Sequence, residues 1–225
     1  MMINRKIRLA FSATALCLAL AACGSAVTGT NSAGVSESGY AQSRNEKGVV
    51  LLSVNWQRAW GCASFDNVEL LTMGFDRLPL AGADNAQPEF FLDGPPRLTK
   101  APGYFQYAAL LSPGKYALTE FDIKAARSAS DVGHFAADRA LLAPPGKAPL
   151  GTFDVRAGEV VYIGHFYVDC AVNGHPNLWR YYLKDRKSFA DYIAQAKAEN
   201  PFLDASNVQY RLFKTETFGT DFDLP

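Results

Sequence analysis

From Val49 to Lys214 the apolar residues recur mostly at every second position, and that period is the strongest constraint on the fold. Successive side chains of a β-strand point to opposite faces, so a period of two marks half-buried strands. In a first run, 49–56, Val50, Leu52, Val54 and Trp56 share one face, with Ser53 and Asn55 on the other. Runs at 68–73, 105–111, 115–123, 151–155, 159–169, 178–184 and 208–214 bring the total to about eight strands. Ser112-Pro113-Gly114 reads as a short hairpin connection, and Ala157-Gly158 as a second one between 151–155 and 159–169. In the longer of these strands Val160, Tyr162, Phe166 and Val168 are expected to share a face, with Gly164 marking a bulge or a close approach. One helix is expected near the C-terminus. Ser188 can cap it, Phe189, Tyr192, Ile193 and Ala196 form its apolar stripe, and Asn200-Pro201 ends it. Segments 78–102 and 125–149, rich in Pro, Gly and Asp or ending in Pro-Pro-Gly, read as long loops. The pattern predicts an antiparallel β-sandwich with one helix in its C-terminal region.

The first 47 residues read differently. Arg5, Lys6 and Arg8 precede an apolar run from Leu9 to Leu20, shorter than the ~20 residues that span a bilayer. Leu20-Ala21-Ala22-Cys23 follows, with small residues before a cleavage point, as in a secretory signal peptide. With Cys23 in that place, the segment resembles the lipobox of bacterial lipoproteins. The resemblance implies a signal peptide over 1–22 and a diacylated Cys23 as first residue of the mature chain. A signal peptide with an incidental Cys is the alternative. More than one acyl chain gives stable anchoring. Gly24, rather than Asp, implies sorting to the outer membrane. Residues 24–47, rich in Ser, Gly, Thr, Asn and Ala, read as a flexible tether with an r.m.s. reach of roughly 25–30 Å. The organisation expected is thus signal peptide 1–22, lipidated Cys and tether 23–47, and one sandwich domain 48–225.

The chain has 22 basic and 22 acidic residues; without Arg5, Lys6 and Arg8 its net charge is near −3. No basic run remains, so charge gives no support to nucleic-acid binding. The membrane is expected as a partner through the lipid anchor, not through charge. Cys17 leaves with the signal, Cys23 is lipidated, and Cys62 and Cys170 remain. An exported protein lives in an oxidising compartment, which favours a Cys62–Cys170 disulfide over two buried thiols.

Two segments carry a second resemblance. Leu110-Leu111-Ser112-Pro113-Gly114-Lys115-Tyr116 and Ala157-Gly158-Glu159-Val160-Val161-Tyr162-Ile163-Gly164 are similar to bacterial lipoproteins with a prealbumin-like β-sandwich. In that family a Pro-Gly-x-Tyr strand precedes a Gly-Glu-x-x-Tyr-Ile/Leu-Gly strand. The resemblance implies the sandwich; the family carries no established activity to transfer.

No nucleophile elbow, zinc-protease helix or phosphate loop occurs, and no cofactor or metal motif. The best polar cluster is His165 and Asp169, four apart on one strand, with His175 in the next loop. Imidazole and carboxylate can ligate zinc or trade protons, but solvated or hydrogen-bonded side chains need no such role. Trp56 and Trp60, on either side of a loop before Cys62, form a possible aromatic surface for a glycan or protein partner; a place in the core is the alternative. Glu89 with Asp93, or Asp221 with Asp223, imitates a glycosidase pair, although sequence does not fix their separation. The reading that results is a non-enzymatic outer-membrane lipoprotein, a binding or assembly module. An envelope hydrolase acting on glycan or peptide, and a structural subunit of an envelope complex, are the alternatives.

Overall fold

The structure, a computed structural model, describes residues 34–81, 86–95, 103–170, 176–181, 183, 186–211 and 213–215. The signal segment, Cys23, Gly24, His175, Asp221 and Asp223 lie outside them. The described chain runs α1 (Glu37–Ser43), β1 (Gly48–Val54), β2 (Ala59–Cys62), β3 (Phe65–Arg77), β4 (Phe90–Asp93), β5 (Phe105–Leu111), β6 (Gly114–Ala126) and β7 (Val132–Ala137). It continues with α2 (Arg139–Leu142), β8 (Gly151–Val155), β9 (Val160–Asp169), β10 (Asn177–Tyr181), α3 (Arg186–Glu199), β11 (Val208–Tyr210) and β12 (Lys214–Thr215).

The strands form two sheets. The first has the order β10-β9-β1-β5, with β11 beside β10 on the same edge of β9. The second has the order β12-β8-β6-β3-β2, with β4 also on β3 and β7 also on β6. Pairing is antiparallel except for β1 with β9 and β11 with β9. The expected mainly β sandwich is present. Its core contains Val50, Leu52 and Val54 of β1, Leu70, Met73 and Phe75 of β3, Leu118 and Ile123 of β6, and Phe153 of β8.

A third layer covers the outer face of the first sheet. Val49, Leu51, Val160 and Tyr162 pack there against Tyr192 and Ala196 of α3, with Val35 and Tyr40 from the N-terminal side. All seven residues of β1 are therefore buried, where one buried face was expected. The sequence of β1 carries the signal: Val49-Val50-Leu51-Leu52 is an unbroken apolar run, as in strands covered on both sides. The same layer corrects the tether. Residues 24–47 do not all behave as a solvated linker, because α1 is capped by the Ser36 side chain, which accepts from Gly39 N at 3.0 Å. Val35 and Tyr40 supply enough apolar surface to dock it. α3 begins at Arg186, so Ser188 lies in its first turn instead of capping it.

Both expected hairpins are crossings between sheets. β5 pairs with β1 in the first sheet, while β6 pairs with β3, β7 and β8 in the second. Likewise β8 belongs to the second sheet and β9 to the first. Alternation tells which side of a strand meets the core but not which strand lies beside it. Sheets stack about 10 Å apart, a gap that two or three residues can bridge.

Gly164 does sit at a bulge. Leu51 pairs with Tyr162 and Leu52 with Gly164, so Ile163 is an extra residue. The insertion reverses parity along β9. Val160 and Tyr162 face the helices, whereas Phe166 and Val168 face the sandwich core, and the four do not share a face.

Cys62 at the end of β2 and Cys170 just after β9 form a disulfide, with Cα atoms 5.3 Å apart. It ties the two sheets together. Among the described residues no helix is long and apolar enough to cross a membrane.

Candidate functional site

The outer face of the second sheet carries a cleft of about 670 Å³. Its floor is Thr119 to Asp122 of β6. One wall is Gln87, Pro88 and Phe91 at β4, and the other is Ala136 to Arg139 at the end of β7 and the start of α2. β4, β7 and α2 all lie within the stretches expected to be long loops.

A buried ion pair builds this place. Arg139, the first residue of α2, donates from Nε to Asp76 Oδ2 at 2.9 Å and from Nη2 to Asp76 Oδ1 at 2.8 Å. The Thr119 hydroxyl donates to Oδ2 at 2.6 Å, and the Glu89 backbone N–H donates to Oδ1 at 3.0 Å. Asp76 is 7 % exposed and Arg139 5 %. The Asp138 side chain accepts from Leu141 N and caps α2. Four residues are too few to hold a helix alone. The cap and the two-pronged contact fix α2, and with it the wall of the cleft.

The floor is acidic. Burial raises the affinity of Glu120 for its proton, and the carboxylates of Asp122, Asp76 and Asp93 add to the effect, against the opposing pull of Arg139. Burial also raises Asp93. Asp122 is engaged by His134, whose Nδ1 lies 2.9 and 3.0 Å from its two oxygens. Among the described residues no group of three or more His, Cys, Asp or Glu side chains is arranged to hold a metal ion.

Neither member of the central pair stood out as a site in the sequence. Asp76 and Arg139 are 63 positions apart, and each reads as an ordinary surface charge. The one local signal is Asp138 before Arg139-Ala140-Leu141-Leu142, a cap followed by helix formers.

The residues singled out by sequence fall elsewhere. His165 and Asp169 share β9, but four residues of strand separate their backbones by roughly 13 Å, too far for a direct pair. Asp169 accepts from the backbone N–H of Cys170 at 2.8 Å. His165 is 6 % exposed, lies 2.6 Å from the Tyr162 hydroxyl through Nδ1, and packs against Tyr104 and Tyr192. It belongs to the layer under α3, so the two described members of the polar cluster do not form an open site. Trp56 is 4 % exposed and donates from Nε1 to the Tyr107 hydroxyl at 2.7 Å; it is a core residue and not part of an aromatic surface. Trp60 is 71 % exposed on β2. Glu89 accepts from the Tyr116 hydroxyl at 2.9 Å and pairs with Arg77 at 3.8 Å, which gives it a structural task apart from Asp93.

Burial depresses His165 from 6.5 to about 4, so the folded protein holds it neutral. The unfolded chain binds more protons between these values, and stability rises with pH in that window. The contribution is complete above pH 6.5 and is lost as pH falls to about 4, a total of roughly 3 kcal/mol. Urea melts of wild type and His165→Gln at several pH values measure it. The difference between the two is expected to shrink on acidification, and a pH-independent difference would refute the assignment.

Set beside known proteins, the chain matches no family model, no curated protein and no solved structure, and its site is read from its own chemistry.

Proposed function

We propose that this chain is a lipid-anchored binding module of the bacterial outer membrane, and that the cleft over β6 is where it takes its partner. The cleft carries the reading: a concave, mixed polar and apolar surface of about 670 Å³ whose wall is fixed by a buried Asp76–Arg139 pair. Pre-organised clefts of this size are where proteins seat small ligands or a projecting side chain. Glu120, Asp122 and Asp138 line it beside Phe91 and Pro88. That combination suits a cationic group on an apolar stem. The anchor is supported by Leu20-Ala21-Ala22-Cys23, and export by the pairing of the two cysteines that remain.

One experiment addresses both parts. A photo-crosslinking residue is placed at Gln87, on the cleft, and at Lys197, on α3, in cells fed an alkynyl fatty acid. The expected result is fatty-acid labelling that Cys23→Ala abolishes, together with a discrete adduct from position 87 that Glu120→Gln weakens and position 197 does not give. Labelling of the Cys23→Ala chain refutes the anchor. Equal adducts from both positions refute the cleft.

The hydrolase reading has one observation in its favour, the Asp122–His134 contact at the rim of the cleft. Turnover of peptidoglycan fragments or esters that His134→Ala removes, with unchanged melting, would replace the binding reading.

A further inference from the structure

We infer that Trp60 and its neighbours on the second sheet form a glycan-binding platform, distinct from the cleft, that takes a neutral pyranose chain. Three observations carry this. The first is exposure: the indole is 71 % exposed, whereas Trp56, four residues earlier, is buried in the core. The second is register. Trp60 pairs with Asn67, Asn67 with Ala126, and Ala126 with Val132, so these four residues cross β2, β3, β6 and β7 in one row. Val68, Leu70, Ile123 and Ala125 point to the core, which places the row on the outer face. The neighbouring row runs Glu69, Lys124, His134. The third is chemistry. The Arg58 guanidinium lies 5.5 Å from the centre of the Trp60 ring and pairs with Glu69 at 3.5 Å.

These groups select an occupant by complementarity. The charges nearest the row are paired, Arg58 with Glu69 and Arg127 with Asp131, so the face offers little net field with which to draw an anionic or cationic polymer. Among the described residues the indole has an amide beside it in its row and an ion pair next to it, and the row's other exposed apolar side chain, Val132, lies three strands away, so it is no broad hydrophobic docking patch. A pyranose ring matches both features. One face of the ring is C–H and stacks on an aromatic, while its rim hydroxyls reach the Asn67 amide, the Arg58 guanidinium and the Glu69 carboxylate. Charged partners make such hydrogen bonds stronger. The platform is also rigid, because Cys62, two residues after Trp60, is bridged to Cys170. Rigid aromatics lose little freedom on binding. Asp122 at the cleft and Ala126 in the Trp60 row are roughly 13 Å apart along β6, so the two sites can be tested separately.

The test uses the full chain in lipid nanodiscs with indole-labelled tryptophan, titrated with the neutral tetrasaccharides of N-acetylglucosamine, cellulose and starch. At least one is expected to shift the Trp60 indole resonance at millimolar concentration while leaving that of Trp56 in place. Trp60→Ala should weaken binding at least about tenfold, since exposed-to-buried Trp contacts dominate small interfaces. Trp60→Tyr should retain part of it, and Arg58→Ala should weaken it without changing the melting temperature. Three results would each overturn the proposal: no tetrasaccharide moves the Trp60 resonance, Trp60→Ala binds as well as wild type, or anionic vesicles shift the resonance and the sugars do not. Failure here leaves the Gln87 adduct untouched, and loss of that adduct leaves the sugar titration untouched.

Discussion

Replacing Asp76 by Ala is expected to lower the free energy of unfolding by about 3–5 kcal/mol, because it strands a buried charge. Arg139 is 5 % exposed, and Asp76 receives two of its N–H groups. The same carboxylate takes the Thr119 hydroxyl and the Glu89 N–H, so one substitution leaves several donors short of an acceptor. Unsatisfied buried donors cost about 1–3 kcal/mol each, which makes the upper part of the range reasonable. The effect is local as well as global. α2 has four residues and is held by this contact, so the cleft wall should loosen before the sandwich melts. Urea melts give the stability, and the Gln87 adduct reports the wall. The double variant Asp76→Leu/Arg139→Met removes both charges and should regain most of the loss, as buried pairs replaced by apolar groups often do. A loss below about 1 kcal/mol in Asp76→Ala would show that water reaches Arg139 and that the pair is not buried in solution.

The layers of the fold were legible in the sequence to the extent that they follow from alternation. Strands 105–111 and 151–155 stand where the pattern puts them, and the stripe of Phe189, Tyr192, Ile193 and Ala196 does dock α3. Partner choice was not legible. Ser112-Pro113 and Ala157-Gly158 look like hairpin turns, yet each passes the chain from one sheet to the other. A turn residue fixes local backbone geometry, while the neighbour of a strand is decided by contacts far along the chain. The cleft was hidden for the same reason, since its central pair joins β3 to α2 across 63 positions. His165 misled in another way. A strand histidine near a carboxylate reads as a candidate ligand, but an aromatic layer under α3 buries it. The N-terminal part of that cover rests on Val35 and Tyr40, which in a Ser/Gly-rich stretch offer too little apolar pattern to be noticed.

Opening the Cys62–Cys170 bridge is expected to cost about 4–5 kcal/mol on the chain-entropy account, since the bonded residues are 108 positions apart. The bond acts mainly on the unfolded chain, which without it explores far more space. The folded state should change little, because Cys62 is packed within the sandwich core, where its apolar neighbours hold it as well as the bond does. Two measurements separate the loss of the bond from loss of packing. Reduction of the wild type removes only the bond, whereas Cys62→Ala/Cys170→Ala also removes two sulfur atoms from a packed region, so the double variant should be somewhat less stable than the reduced wild type. The denaturant slope should rise in both, because an uncrosslinked chain exposes more surface on unfolding. A fall in the urea midpoint with no change in slope would instead place the effect in the native state, where the bridge joins the ends of β2 and β9. If reduction changes neither quantity, the unfolded chain is already compact between these points, and the bridge adds nothing to stability. The cost has a cellular consequence that can be read directly. A chain retained in a reducing compartment should be cleaved by protease faster than the exported chain, because the transiently open population grows with every kcal/mol lost.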